Sequence, residues 1–175
     1  AVGAGGGQLA EYGRVARQVL AVDCDAAALA PLDARVRQLG LEDRFVLRHT
    51  DLLAVGDSAD VALFEFSLHE MPDAGAALDH ALRLAPAVVI LDHSPGSPWA
   101  YHVVEEDKVT AAWRAVMERR PSRVRHHRLA HRFSSHRQLL ERVGSQGEEA
   151  IRRASRFRDR TDITIPVGYG LALLG

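Results

Sequence analysis

The chain has a single cysteine, Cys24, and this scarcity excludes two classes of protein. One cysteine cannot form an internal disulfide, and it cannot supply a cysteine-rich metal cage. No apolar run approaches the ~18 residues that a membrane-spanning helix needs, and these residues contain no secretory signal pattern. We therefore expect a cytoplasmic protein with no membrane partner.

Lysine is nearly absent as well, since Lys108 is the only one in 175 residues. Positive charge comes from arginine and is unevenly distributed. Residues 1–113 hold 8 Lys and Arg against 17 Asp and Glu, whereas residues 114–175 hold 14 Arg against 6 Asp and Glu. The basic part is either solvated surface or a surface for an anionic substrate or nucleic acid. Nucleic acid is not expected, because no RNA-binding module or aromatic stacking cluster accompanies the arginines of residues 114–160.

The first half of the chain shows a regular alternation of apolar runs and amphipathic stretches. Strands are predicted at residues 18–23, 44–53, 60–68 and 87–94, and helices at 26–41 and 72–85. Strands that alternate with helices in this way indicate an α/β fold with a parallel sheet. The apolar runs agree, because strands of such sheets are covered on both faces.

The pattern changes after residue 96. Helices are predicted at 101–120 and 134–144, while residues 121–133 are ambiguous. An antiparallel pair formed by residues 148–160 and 167–174 is expected to close the sheet, although the first of these segments is equally compatible with a helix.

Three alternating glycines, Gly3, Gly5 and Gly7, open the chain. This spacing is typical of a turn between a strand and a helix that brings the backbone close to a ligand. Asp23 follows at the end of the next predicted strand. A carboxylate at that place can accept hydrogen bonds from both hydroxyls of a ribose.

Two nucleotide cofactors compete for this loop. A dinucleotide fingerprint requires the pattern G-x-G-x-x-G. Counted from Gly3 the sixth position is Gln8, and counted from Gly5 it is Ala10, which is a permitted but less usual variant. The alternation of three glycines instead resembles the first motif of the class I S-adenosylmethionine (SAM)-dependent methyltransferases.

The resemblance continues along the chain in the same serial order. Residues 22–25 resemble the acidic, ribose-binding strand end of that family, and residues 49–53 resemble the loop whose acid, here Asp51, faces the adenine amine. Residues 60–96 are similar to the strand–helix–strand unit of small-molecule methyltransferases. The resemblance implies one domain over residues 1–175, with a Rossmann-like, doubly wound and mostly parallel sheet, helices on both faces and a C-terminal antiparallel strand pair.

The resemblance also implies the cofactor, SAM, with S-adenosylhomocysteine (SAH) as product, and the residues that hold it. In one respect the chain departs from the family: Ala1 stands where an acid commonly helps to hold the amino group of SAM. The residues expected to bind the cofactor are Gly3, Ala4, Gly5, Gly7, Asp23, Cys24, Asp51, Leu52, Glu65 and Phe66.

Candidate catalytic residues follow the predicted strands, because sites in open α/β sheets lie beyond the carboxyl ends of the strands. His69 and His93 are the candidate general bases. Each is alternatively a capping or substrate-contacting residue. Residue types that ligate metals also occur, at His69, Glu70, Asp92, His93, His102, Glu105 and Glu106, and at His127 and His131, which are four positions apart. No H-E-x-x-H or equivalent spacing occurs among them, and no metal is expected.

The predicted function is methyl transfer from SAM to a small-molecule acceptor, with residues 97–133 as a lid or substrate-binding insertion. A non-catalytic SAM-fold scaffold is the alternative, and an RNA methyltransferase is a weaker one. In this family the glycine loop follows the central strand of the sheet, of which only Ala1 and Val2 are present. We therefore expect the natural product to extend upstream of Ala1, because an absent central strand leaves two unpaired backbone edges.

Overall fold

The parallel strands form where the sequence predicts them. The computed structural model describes residues 1–5 and 8–175. Strand β1 pairs in parallel with β2, and β3 pairs in parallel with β4. The bounds are β1 Val19–Asp23, β2 Phe45–His49, β3 Val61–Glu65 and β4 Ala87–His93.

Val2 joins the two parallel pairs. It forms parallel bridges to Val22 of β1 and to Phe64 of β3, and its amide donates to the carbonyl of Leu63 at 2.8 Å. The carboxyl ends of β1, β3 and β4 therefore lie along one edge of a common sheet, where sites of such folds form.

Two long strands complete the sheet on the other side. These strands are β5 (Arg123–Ser135) and β6 (Thr161–Leu174). Strand β6 pairs antiparallel with β4 and with β5, so the order on this side is β3–β4–β6–β5. The closing antiparallel pair predicted from the sequence is present, but its first member is the segment that was ambiguous.

The segment 148–160 is not a strand, so the pairing with residues 167–174 is wrong and the helical alternative is correct for Glu148–Ala154. Residues Glu148–Ala154 form a helix, with Ala150 and Ala154 fully buried on its inner face. Glu149 pairs with Arg152 and with Arg153, three and four positions later. Such pairs stabilise a helix and have no counterpart in a strand.

Helices cover both faces of the sheet. The described residues contain α1 Leu9–Gly13, α2 Ala26–Gln38, α3 Ala74–Leu84, α4 Pro98–His102, α5 Glu106–Glu118, α6 His136–Val143 and α7 Glu148–Ala154. Ala172 and Leu174 of β6 pack in one apolar cluster with α3 and α5, whereas Ile163 and Ile165 pack in a second cluster with α6 and α7. A third cluster joins α1 and α2 to β1. The fold is thus the mixed, Rossmann-like α/β architecture that the sequence predicts.

The predicted lid segment, residues 97–133, contains α4, α5 and most of β5. Since β5 is paired with β6 from Arg123 to Ser135, this part belongs to the sheet. Only the helical part is left to act as a lid. None of the helices in the described ranges has the length and apolarity needed to cross a membrane.

Candidate active site

A cavity of about 450 Å³ opens at the carboxyl ends of β1 and β3. This size is ordinary for a pocket that holds a cofactor. Ala4 does not line it, because Ala4 is buried and its amide donates to the carbonyl of Val22. Gly7 lies outside the described residues. The other residues predicted to bind the cofactor all line the cavity: Gly3, Gly5, Asp23, Cys24, Asp51, Leu52, Glu65 and Phe66.

The floor of the cavity requires a glycine at position 3. Gly3 has a φ of +61°, and a Cβ at this position would lie 2.3 Å from the Cβ of Ser67. Ser67 is held in place because its Oγ donates to the carbonyl of Val2 at 2.8 Å. Gly3 therefore packs directly against Ser67 and carries no side chain where it lines the cavity. We call this glycine backbone the cradle, because a backbone without side chains allows a ligand to approach closely.

Both acids predicted to contact the cofactor are fixed by local backbone hydrogen bonds. The amide of Asp25 donates to Asp23 Oδ1 at 2.9 Å, and the amide of Leu53 donates to Asp51 Oδ1 at 2.7 Å. Asp23 Oδ2 lies on the side of Gly5, 3.7 Å from where a Cβ on that glycine would stand. One oxygen of Asp23 is thus engaged, and the other is directed at the glycine loop.

Phe66 lines the cavity and also belongs to a group of rings on its other side. We call this group the aromatic cluster, and its members are Phe66, His93, His127 and Tyr169. The ring centroid of Phe66 lies 4.9 Å from that of His93 and 6.3 Å from that of Tyr169. Tyr169 in turn stacks on His127 at 5.2 Å. Phe66 itself has a φ of +48°, an uncommon conformation for a residue with a bulky side chain. Phe66 therefore combines a strained backbone with contacts to both the cavity and the aromatic cluster.

The last two residues of β4 point to opposite faces of the sheet, as alternation along a strand requires. His93 joins the aromatic cluster, and its carbonyl accepts a hydrogen bond from Trp113 Nε1. Its Nδ1 is buried and has no hydrogen-bond partner among the described residues. Burial lowers the pKa of His93, so its imidazole is neutral near pH 7 and able to accept a proton.

Asp92 lies on the other face of the sheet and pairs with His69, the other candidate base. His69 differs from His93 in its protonation. His69 Nδ1 lies 2.5 Å from Asp92 Oδ1, and its Nε2 lies 3.4 Å from a carboxylate oxygen of Glu70 and of Glu105. Burial lowers the pKa of His69, but the adjacent Asp92 and Glu105 outweigh it and raise the pKa to about 10. A protonated imidazole cannot act as a base. Neither His69 nor His93 lines the cofactor cavity itself.

Two residues of this region, Tyr169 and Ser67, are not predicted from the sequence, and a third, Glu105, is noted there only as a metal-ligand type. Tyr169 reaches His93 because β6 pairs with β4 in a register that sets the two residues opposite each other. Ser67 supports the glycine loop, and Glu105 approaches His69 from the turn before α5. No local pattern marks them, because each contact joins segments that are distant in sequence.

A known protein family matches the part of the chain that contains the glycine loop and the strands that follow it. The family described as a methyltransferase domain matches residues 1–86. Over residues 1–86 the chain therefore matches the class I SAM-dependent methyltransferase family. The matched residues of this methyltransferase chain include the glycine loop, Asp23, Asp51 and the whole of β3. No curated protein sequence matches the chain.

Solved structures share the fold of this methyltransferase at low sequence identity. A putative methyltransferase from Bacillus halodurans is 14% identical, with a TM-score of 0.68 over 98% of this chain and 89% of the other. Magnesium protoporphyrin IX methyltransferase from Synechocystis, solved with bound SAH, is 13% identical, with a TM-score of 0.54 over 98% and 71% of the two chains. The [4+2]-cyclase SpnF is 17% identical, with a TM-score of 0.58 over 99% and 74%.

Proposed function

We propose that this methyltransferase transfers the methyl group of SAM to a small-molecule acceptor held against the aromatic cluster. The observation that carries the proposal is the junction at Phe66. On one side of this residue lies a cavity with a bare glycine floor and two fixed carboxylates. On the other side lies His93, a buried and neutral imidazole.

The residues of the cavity suit the parts of the cofactor. The backbone at Gly3 and Gly5 lines the cavity without side chains, and Asp23, which also lines it, is assigned to the hydroxyls of the ribose. Asp51 and Leu52 line the same cavity and are assigned to the adenine ring. When bound, SAM supplies an electrophilic methyl group on a sulfonium centre.

The protein then has to orient the acceptor, exclude water and remove a proton where the acceptor atom carries one. Phe66 and Tyr169 offer aromatic surface for a flat acceptor. His93 is assigned the role of base, since burial lowers its pKa and keeps its imidazole unprotonated near pH 7, and its buried Nδ1 has no hydrogen-bond partner in the part of the chain that the structure describes. His69 is assigned a positioning role, because its imidazole is fixed between carboxylates.

Acceptor selection is assigned to the helical part of residues 97–133. Trp99 of α4 packs on His131 and Phe133 of β5, with ring centroids 4.4 and 6.0 Å apart. Tyr101 lies beneath the guanidinium of Arg153 at 4.1 Å. The Trp99 contacts connect α4 to β5 and the Tyr101 contact connects it to α7, so α4 is held beside the strand that supplies His127 to the aromatic cluster.

A SAM-fold protein without methyl transfer is the second candidate, and Ala1 favours it. The family commonly has an acid at this position to hold the amino group of SAM, and alanine offers no hydrogen-bond acceptor in its side chain. A fold alone does not fix the reaction either, and one structural neighbour is a cyclase by its description.

The test is calorimetric titration of the natural protein with SAM and with SAH. An assay of SAH release on a panel of small aromatic and anionic acceptors follows. We expect both ligands to bind at one site. For an accepted substrate, His93→Gln should lower turnover by at least ~100-fold without weakening SAM binding. Absence of SAM binding would refute the proposal, and binding without turnover on any acceptor would favour the second candidate. Salt-sensitive binding to mixed RNA would instead support the RNA methyltransferase.

A further inference from the structure

A cluster of one histidine and three carboxylates lies beside the cofactor cavity, on the face of the sheet covered by α5. Its members are His69, Glu70, Asp92 and Glu105. His69 Nε2 lies 3.4 Å from Glu70 Oε1 and 3.4 Å from Glu105 Oε2. One ligand atom from each of His69, Glu70 and Glu105 can be chosen so that all three lie within 4.8 Å of one another.

These separations are longer than those of strong hydrogen bonds and match those between two ligands of one metal ion. A charge-assisted N–H···O bond spans about 2.7–2.9 Å, and both ion pairs of His69 Nε2 are longer than that. Two ligands bound to the same zinc ion at about 2.1 Å in a tetrahedron lie about 3.4 Å apart. The three side chains are therefore spaced to surround an ion.

The imidazole ring is fixed from behind, as ligating histidines are in metalloproteins. Asp92 Oδ1 lies 2.5 Å from His69 Nδ1, and Asp92 Oδ2 accepts a hydrogen bond from the His69 amide at 3.0 Å. Both oxygens of Asp92 thus contact His69, and Oδ1 also accepts a hydrogen bond from the His93 amide. The other ring nitrogen, Nε2, faces Glu70 and Glu105, and an ion that binds there replaces the proton that the imidazolium carries in the absence of metal.

The charges of the cluster also call for a cation. The side chain of Glu105 is 11% exposed and that of His69 is 4% exposed. Within 4 Å of the Glu105 carboxylate, His69 is the only basic group among the described residues. Lys108 pairs with Glu70 Oε2 at 2.7 Å, which leaves Oε1 free to face the imidazole. Three carboxylates oppose two basic groups, and a largely buried carboxylate is costly unless it is fully compensated.

We propose that His69 Nε2, Glu70 Oε1 and Glu105 Oε2 form a site for a divalent first-row transition ion, with Zn²⁺ as the reference ligand. One imidazole nitrogen with two carboxylate oxygens is a donor set that Zn²⁺ and Mn²⁺ accept. Three protein ligands leave at least one coordination position for water or a substrate atom. Glu70 also lines the cofactor cavity, so the ion lies at the border of the active site.

The sequence did not predict this site because its ligands come from separate elements. His69 and Glu70 lie in the turn after β3, whereas Glu105 immediately precedes α5. A motif search looks for ligands on one helix, as in H-E-x-x-H. Here the packing of α5 against the turn after β3 brings the ligands together.

The first test is calorimetric titration of the chelator-treated natural protein with ZnCl₂ and, separately, with MnCl₂. SAM is absent from both titrations. We expect one equivalent of Zn²⁺ to bind. Loss of an outer-sphere carboxylate typically costs about 10–100-fold in metal affinity, so we expect that weakening for Asp92→Asn and at least as much for Glu105→Gln. Asp107→Asn is the matched control, because it removes one nearby negative charge from an exposed residue outside the cluster and should leave the affinity unchanged.

The second readout is the ¹⁵N chemical shift of the His69 ring, which reports directly on coordination at Nε2. Saturating Zn²⁺ should move the Nε2 resonance and leave Nδ1 protonated. Absence of Zn²⁺ binding would overturn the proposal, and so would binding that survives Glu105→Gln or leaves Nε2 unperturbed, as expected of ions held by surface histidines. Because no SAM is present, failure of this proposal leaves the proposed methyl transfer untouched, and the reverse also holds.

Discussion

The cofactor cavity and the aromatic cluster share Phe66 but are built in different ways. In the cavity, short turns fix each functional group: the Asp25 amide holds Asp23, and the Leu53 amide holds Asp51. In the aromatic cluster, rings from four different strands or strand ends meet only because β4, β6 and β5 pair in one register. The two carboxylates of the cavity are thus fixed by neighbouring residues in the sequence, whereas the aromatic cluster depends on the assembled sheet.

The largest expected effect is in the cavity, at Gly3. The substitution Gly3→Ala places a Cβ 2.3 Å from the Cβ of Ser67 and imposes a side chain on a φ of +61°. Overpacking and backbone strain together should lower the free energy of unfolding by about 2–5 kcal/mol and abolish SAM binding. Denaturant titration and calorimetry measure the two effects. Gly56→Ala is the control, since nothing lies within 4 Å of its added Cβ. Equal stability and equal SAM affinity in the two variants would show that a side chain is tolerated at Gly3.

The second effect separates cofactor binding from acceptor binding. Asp23→Ala removes the carboxylate that is proposed to receive two hydroxyl donors, and each charged hydrogen bond contributes about 1.5–3 kcal/mol. SAM affinity should fall by at least ~10-fold, while the KM of an accepted substrate at saturating SAM stays the same. Asp33→Ala removes an exposed carboxylate that pairs with Arg37 on α2 and serves as the control. Unchanged affinity in Asp23→Ala would mean that Asp23 does not reach the ribose.

The contrast between groups fixed by neighbouring residues and groups fixed by strand pairing also explains which parts of the structure the sequence predicts. The parallel strands, the cavity-lining glycines and Asp23 and Asp51 follow patterns within a few residues, so they were found. The strand at 123–135 was not, because its alternation is obscured: His and Arg are exposed on both of its faces and Phe133 is its one fully buried residue. The helix at 148–154 was ambiguous, since seven residues give too few turns for helical periodicity to stand out.

The third prediction concerns Phe66, the residue common to both regions. Phe66→Gly and Phe66→Ala remove the same ring, but only alanine keeps a Cβ at a φ of +48°. A left-handed conformation costs a non-glycine residue roughly 1 kcal/mol. The glycine variant should therefore be more stable than the alanine variant by about 1 kcal/mol in urea titration. Equal stability would show that the backbone relaxes at this position.

The smallest effect lies outside both regions, at His102 of α4. This residue is fully buried, its Nε2 lies 2.8 Å from Arg156, and burial lowers its pKa to about 4. Between about pH 6.5 and pH 4 the unfolded chain binds a proton at this histidine and the folded chain does not. Stability due to neutral His102 is thus complete above about pH 6.5 and is lost as the pH falls.

The thermal midpoint should accordingly fall by a few degrees on going from pH 7 to pH 4.5, and His102→Gln should flatten this slope. The substitution His126→Gln, on the exposed strand β5, is the control and should leave the slope as it is in the unmodified chain. An identical slope in all three proteins would show that His102 protonates freely in the folded state.

Strand β5 has a consequence for the behaviour of the protein in concentrated solution. Its outer edge has no strand partner within the described residues, and the strand carries four arginines and three histidines without a single acid. An open edge is a template on which another chain can add. The arginines keep two copies of this edge apart by mutual repulsion, so a polyanion that neutralises them would remove the barrier to edge-to-edge aggregation. Colloidal stability of this enzyme is therefore encoded by the same arginines that make its C-terminal third basic.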